Sequence, residues 1–145
     1  MSTTTPNRGL TKLSAADPDF HSTGWSNDYN AAMDIIDALS AIGAAGADGA
    51  IGLKEGTVFI TKSASAALLT LAAPVAGLPA AGGDDGKVLR IKSTTAKAHT
   101  VTTPSNKIDG ITAVATFGGA VTDFIELIAY NGIWRSGASS GIVLS

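Results

Sequence analysis

Cysteine is absent from this chain of 145 residues, and charged residues make up only 15% of it. Without cysteine there is no disulfide, no thiolate zinc site and no cysteine nucleophile. The 10 Lys and Arg residues form no basic run and are outnumbered by 12 Asp and Glu residues, which argues against nucleic acid as a partner. No apolar run approaches the ~18 residues of a membrane span, and the opening residues lack a signal-peptide core. We therefore expect a soluble protein, made in the cytoplasm, that binds neither nucleic acid nor membrane.

Residues for catalysis are also scarce. The chain has 2 histidines, His21 and His99, and neither lies in a catalytic or metal-ligating motif. The sequence Asp84-Asp85-Gly86 lacks the alternating carboxylates and distal Glu of a calcium loop, so it predicts a solvated turn. We expect no enzymatic activity, no metal and no cofactor.

Clear helical periodicity is confined to the segment from Trp25 to Ile42. Large and apolar residues recur there at steps of four and three, which are the a and d positions of a short coiled coil: Trp25, Tyr29, Ala32, Ile36 and Leu39. Ile35 widens this apolar stripe, as suits a trimer or a helix packed on a sheet. We expect a helix over 25–42 that either lies on its own domain or joins three chains as a homotrimer.

The segments on either side of this helix lack periodicity. Residues 1–24 are rich in Thr, Ser, Pro and Asp and predict an extended arm, with a disordered tail as the alternative. The residues of that arm suited to anchoring on a partner are Pro6, Asn7, Leu10 and Leu13. Residues 43–56 hold glycine at 43, 46, 49, 52 and 56, which predicts a flexible linker or a loop packed near a symmetry axis.

Residues 57–145 predict a β domain. Strand-like runs separated by turn signals cover Thr57 to Ser63, Ala67 to Ala72, Lys87 to Ser93, His99 to Thr103, Ala113 to Phe117, Phe124 to Tyr130 and Ile133 to Ser136. The strongest hairpin signal is Asn131-Gly132, which suits a type I′ turn, and Asp85-Gly86 and Asp109-Gly110 mark further turns. We expect a mainly β chain, in which the arm and helix precede a roughly seven-stranded antiparallel sandwich or barrel.

Two features of this β region point to binding. The run Phe124 to Tyr130 is apolar on both faces, so one face is expected to meet a second sheet or another subunit. Trp134, directly after the hairpin turn, is the aromatic best placed to face a ligand such as a sugar. The alternative for Trp134 is a place in the core or in a subunit interface.

Two stretches resemble proteins of tailed-phage virions. The opening TPNRGLTKLSAADPDF, followed by GWSNDYNAAMDIIDAL, resembles the start of phage fibre and head-fibre proteins, with Trp25, Asn30 and Asp37 at matching positions. Residues 86–134, which contain GKVLRI, AHTVT, KIDG, TFGGA and AYNGIW, are similar to a small β domain of phage virion proteins. In the arm, Leu13 stands where proline is common in that layout.

The resemblance implies a non-enzymatic virion protein. Its expected form is a trimeric capsid decoration or head-fibre protein, made in the host cytoplasm, that lies on the capsid surface. Its expected partners are further copies of itself and the major capsid protein. The alternative is a tail-fibre or receptor-binding module that binds a host surface glycan.

Overall fold

The structure is a computed structural model, and it describes residues 3–4, 11–12 and 41–145. The chain divides into two compact units, Met1–Ala41 and Ile42–Ser145. In the first unit, β1 (Thr3–Thr4) pairs antiparallel with β2 (Thr11–Lys12). The predicted arm lacked strand periodicity, so this short ladder was missed. Residues 25–40 of the predicted helix lie outside the described residues.

The second unit is described throughout and is built of strands. They are β3 (Ile42–Ala45), β4 (Gly49–Ile51), β5 (Gly56–Ile60), β6 (Leu68–Leu71), β7 (Val88–Ser93), β8 (Thr100–Thr102), β9 (Val114–Phe117), β10 (Phe124–Tyr130), β11 (Ile133–Ser140) and β12 (Ile142–Leu144), with one short 3₁₀ helix at Pro79–Ala81.

These strands form two five-stranded sheets. The first sheet has the order β11-β10-β7-β5-β3 and the second has the order β12-β9-β8-β6-β4. From β3 to β8 the chain alternates between the sheets, so that each strand pairs in parallel with the strand two further along. A parallel pair needs a crossover between its strands, and here a strand of the opposite sheet serves as part of it. The remaining pairs, which involve β9 to β12, are antiparallel.

The prediction of a mainly β fold is confirmed, with 47% of the described residues in strands. All seven predicted strands are present. The prediction of an antiparallel fold is wrong, because both sheets are mixed, and they are not closed into a barrel. Period-2 alternation places side chains on faces but carries no information on strand direction.

The prediction of a flexible linker over 43–56 is also wrong. That segment contains β3 and β4 and the first residue of β5. Ile42, the predicted last residue of the helix, begins β3 opposite Thr57. A Cβ built on Gly43 would lie 2.9 Å from Leu53 Cδ1. Close packing therefore explains this glycine better than backbone freedom does.

The core of the second unit is apolar and consists of alternate residues of the strands. Its members include Val58, Ile60, Leu69, Leu71, Leu89, Ile91, Val101, Phe117, Ile125, Leu127, Ala129 and Trp134. Each large side chain among them stabilises the fold by about 1.5–3 kcal/mol. One apolar face of β10, made of Ile125, Leu127 and Ala129, is thus buried, as predicted.

The predicted turns are confirmed. Asn131 and Gly132 have φ of 50° and 74°, and they join the closing pair Tyr130 and Ile133. Positive φ at both positions is the type I′ requirement that favours Asn-Gly. Asp109 and Gly110 have φ of 53° and 80°.

Candidate functional site

The outer face of the first sheet is the most extensive candidate site for binding. Its residues alternate with the buried ones and form rows across the strands. In one row, Ala44 lies opposite Phe59, Phe59 opposite Lys92, Lys92 opposite Phe124 and Phe124 opposite Ser140. In the next row, Ile42, Thr57, Arg90 and Glu126 follow one another in the same way.

Large apolar side chains dominate this outer face. Phe59, Val88, Phe124 and Ile128 are each partly exposed, and Tyr130, at the end of β10, is 60% exposed. The same strands bury their other face in the core, so β10 is apolar on both sides. A sheet of this kind is normally covered on both faces.

The charges on the outer face are partly neutralised. Arg90 Nη2 lies 2.7 Å from Glu126 Oε2 across the strands, and the Arg90 side chain is 53% exposed. A pair as exposed as this contributes only ~0.2–1 kcal/mol. Among the described residues, Lys92 has no carboxylate within ion-pair distance. It therefore adds a positive charge between Phe59 and Phe124.

A shallow groove lies on this face, with a volume of about 430 Å³. It is lined by Thr57, Phe59, Arg90, Lys92, Phe124 and Ala138. Two aromatic rings beside two cations can hold an apolar or planar group that carries a negative charge. The lining contains no carboxylate, histidine or cysteine.

A second concavity, of about 560 Å³, lies beside the edge strands β3 and β4. It is lined by residues 43–53 with Val58 and Leu69, and most of these are small or apolar. The charged residue of this lining is Asp48. Its carboxylate accepts hydrogen bonds from Leu68 N at 2.8 Å and Lys62 Nζ at 2.7 Å. These two bonds lower the pKa of Asp48.

A buried carboxylate holds the loop between β6 and β7. Asp84 is 4% exposed and accepts hydrogen bonds from Lys54 Nζ at 2.7 Å, Lys87 Nζ at 2.8 Å and Val75 N at 2.7 Å. Burial by itself would raise the pKa of Asp84, but these three donors outweigh it and lower the pKa to about 2. The predicted solvated turn is therefore wrong at Asp84, which is a structural anchor.

The imidazole of His99 is fully buried with both nitrogens bonded. Ala67 N donates to Nδ1 at 2.9 Å, and Nε2 lies 2.8 Å from Thr95 Oγ1. The Thr95 hydroxyl in turn donates to Lys62 O at 2.9 Å. This network requires a neutral ring with its proton on Nε2, and burial lowers the pKa of His99 accordingly. His99 is a core residue with satisfied hydrogen bonds.

Trp134 does not face a ligand. It is 0% exposed, and its indole N–H donates to Ala72 O at 2.9 Å. The reason is strand parity, because Trp134 pairs with the inward-facing Ala129. The ligand-facing prediction is wrong, and the alternative of a core position is correct.

The other predicted site residues lie outside the described residues, so those predictions stand as made. They are the anchor residues Pro6, Asn7, Leu10 and Leu13 and the seam residues Trp25, Tyr29, Ala32, Ile36 and Leu39. Sequence reasoning missed Phe59 and Lys92 as surface residues. The alternation of each with the buried residues of its strand was the signal that would have found them.

No family model, curated protein or solved structure matches this chain. In the described part of the chain, no group of three or more His, Cys, Asp or Glu is placed to hold a metal ion. No helix among those residues is long and apolar enough to cross a membrane.

Proposed function

We propose that this protein is a non-enzymatic structural component of a tailed-phage virion, a capsid decoration or head-fibre protein that binds the capsid surface as a homotrimer. The observation that carries this proposal is the apolar outer face of the first sheet. Monomeric proteins rarely expose a contiguous apolar patch of more than a few hundred Å². Association with other copies of the chain covers such a face.

The resemblance to phage virion proteins supports the same function. Its second stretch, residues 86–134, contains β7, β10 and the start of β11, which supply Arg90, Phe124 and Ile128 to the outer face. Its first stretch supplies the arm and the heptad-like seam. In this proposal the seam and contacts of the first sheet hold the trimer together, and the arm binds the major capsid protein.

Three copies of one arm on a single trimer increase the strength of a weak contact. Once one arm of residues 1–24 is bound, the other two act at a high local concentration, and avidity gains of 10²-fold or more are typical. Anchoring by the arm also fits a segment rich in Thr, Ser and Pro.

The proposal is tested by co-sedimentation with purified capsids that lack the protein. The full chain is compared with a variant from which residues 2–20 are deleted, and both are first weighed by light scattering. We expect each to have the mass of three of its own chains, which for the full chain is three times 14.5 kDa, and only the full chain to sediment with capsids. Equal decoration by the truncated trimer would place the anchor elsewhere, and no decoration by either would refute the proposed function.

The second candidate function is a glycan-binding module of a phage fibre. The groove between Phe59 and Phe124 favours it, because aromatic rings bind sugar faces and Lys92 suits an acidic sugar. Binding to an array of acidic and neutral glycans tests it. Retention of an acidic glycan that is lost in both Phe124→Ala and Lys92→Ala would support this function over capsid decoration.

A further inference from the structure

Both sheets end in strands that have one paired edge within the described chain. At one end these are β3 and β4, and at the other end they are β11 and β12. Unpaired edges are templates for pairing with another chain, and natural proteins block them with Lys, Pro or charges. β3 has the sequence IGAA and carries none of these.

Among the described residues, the unpaired edge of β11 is limited to its second half. Trp134 is already bonded to the preceding turn, since Trp134 N donates to Lys107 O and Asp109 N donates to Trp134 O, both at 2.8 Å. Ser136 N donates to Asp109 Oδ1 at 2.9 Å. The part that remains is residues 137–140, with the sequence GASS. It matches β3 in length, and three of the four β3 residues are likewise small.

The directions of these two edges also agree. β3, β5 and β7 run parallel, and the chain then reverses twice, from β7 to β10 and from β10 to β11. β11 therefore runs in the same direction as β3. Rotation about an axis parallel to the strands preserves that direction, so β3 of one copy can pair in parallel with β11 of another. Pairing of β3 with itself across a twofold axis would be antiparallel instead.

We propose that β3 of each protomer pairs in parallel with residues 137–140 of the next protomer, and that three such contacts close the homotrimer. A cyclic trimer needs a contact between two different surfaces of the chain, and these two edges provide them. This inference rests on the trimer of the proposed function and names the contact within it. The paired edges would join the rows of the outer face, so that Phe124 of one protomer continues toward Phe59 of the next.

Cross-linking tests the contact directly, because the chain has no cysteine of its own. Ala44 and Ser140 lie at opposite edges of one row, four strand spacings apart, which is about 19 Å within one protomer. In the proposed trimer, Ala44 of one protomer lies beside Ser140 of the next. The double variant Ala44→Cys/Ser140→Cys, treated with a bismaleimide much shorter than that span, should give covalent species that end at three chains.

The matched control moves one cysteine to the exposed Thr70 on β6, an inner strand of the second sheet. Ala44→Cys/Thr70→Cys should give no more cross-linked product than either single variant. As a second measurement, Ala44→Lys places a charge on the free edge and should lower the light-scattering mass to that of one chain, while Thr70→Lys keeps the trimer mass. Circular dichroism checks that each variant is folded.

The contrary results distinguish between failure of this contact, of ring closure and of the trimer itself. A trimer of unchanged mass in Ala44→Lys, with no cross-link from Ala44→Cys/Ser140→Cys, would overturn this inference and leave the proposed trimer standing. A cross-linked ladder that continues past three chains would overturn ring closure. A parent protein with the mass of one chain would refute the trimer itself, and this contact with it.

Discussion

Replacing Asp84 by Asn should remove the most strongly held carboxylate among the described residues of this protein. The change keeps the size of the side chain but removes the charge that Lys54 and Lys87 share. Asp84 has a pKa of about 2 in the fold against an ordinary 3.8. At ~1.4 kcal/mol per pKa unit, the ionised form stabilises the fold by about 2 kcal/mol at neutral pH. Asp84→Asn should lower the free energy of unfolding by about that amount.

The direction of this pKa shift also predicts how the stability of the fold changes with pH. Because the pKa of Asp84 is lower in the folded state, that state binds fewer protons, and the stabilisation is fully present above the ordinary value of 3.8. It is lost as the pH falls through about 2. The stability difference between parent and Asp84→Asn should therefore be constant from pH 7 to 5 and shrink at lower pH.

Urea unfolding of both proteins between pH 7 and pH 3 measures this difference. Asp48→Asn is the matched control, because Asp48 also accepts bonds from one lysine and one backbone N–H but is exposed. Its effect should be clearly smaller. A difference below about 0.5 kcal/mol for Asp84→Asn at pH 7, or one that does not change toward pH 3, would refute the reasoning.

Three other substitutions test the turn and the core. Gly132→Val places a β-branched residue at positive φ and should cost at least ~1 kcal/mol, which thermal melting would detect as a drop of several degrees. Trp134→Phe removes the indole hydrogen bond to Ala72 O and part of a fully buried ring, and should cost ~1–3 kcal/mol in urea unfolding. Burial lowers the pKa of His99 from 6.5, so parental stability should fall as the pH drops below 6.5, since a second ring proton breaks the bond from Ala67 N. His99→Gln should flatten that fall, and an unchanged slope would contradict the assignment of a neutral ring.

Local chemistry in the sequence determined the turns and seven of the strands of this protein. Period-2 alternation and turn residues were enough to locate β5 to β11, because a strand with one buried face requires them. The Asn131-Gly132 sequence predicted positive φ at both residues, since few other residue pairs adopt positive φ at two consecutive positions. The two-sided apolar character of Phe124–Tyr130 was also readable, and it led to the outer face as the candidate site.

Only the tertiary structure decided what the strands pair with and which side chains they bury. Gly43 belongs to β3, where the Leu53 side chain occupies the space that a Cβ would need. From composition alone this segment was predicted to be a linker. Trp134 is buried because its pairing with Ala129 places it on the inward side of the sheet. Asp84 is buried where Lys54, distant in sequence, and Lys87, near in sequence, both pair with its carboxylate. Strand direction is likewise a property of pairing between remote segments. The parallel pairing of β3, β5 and β7 and the contact of Lys54 with Asp84 join residues far apart in the chain, and no local pattern in the sequence encodes them.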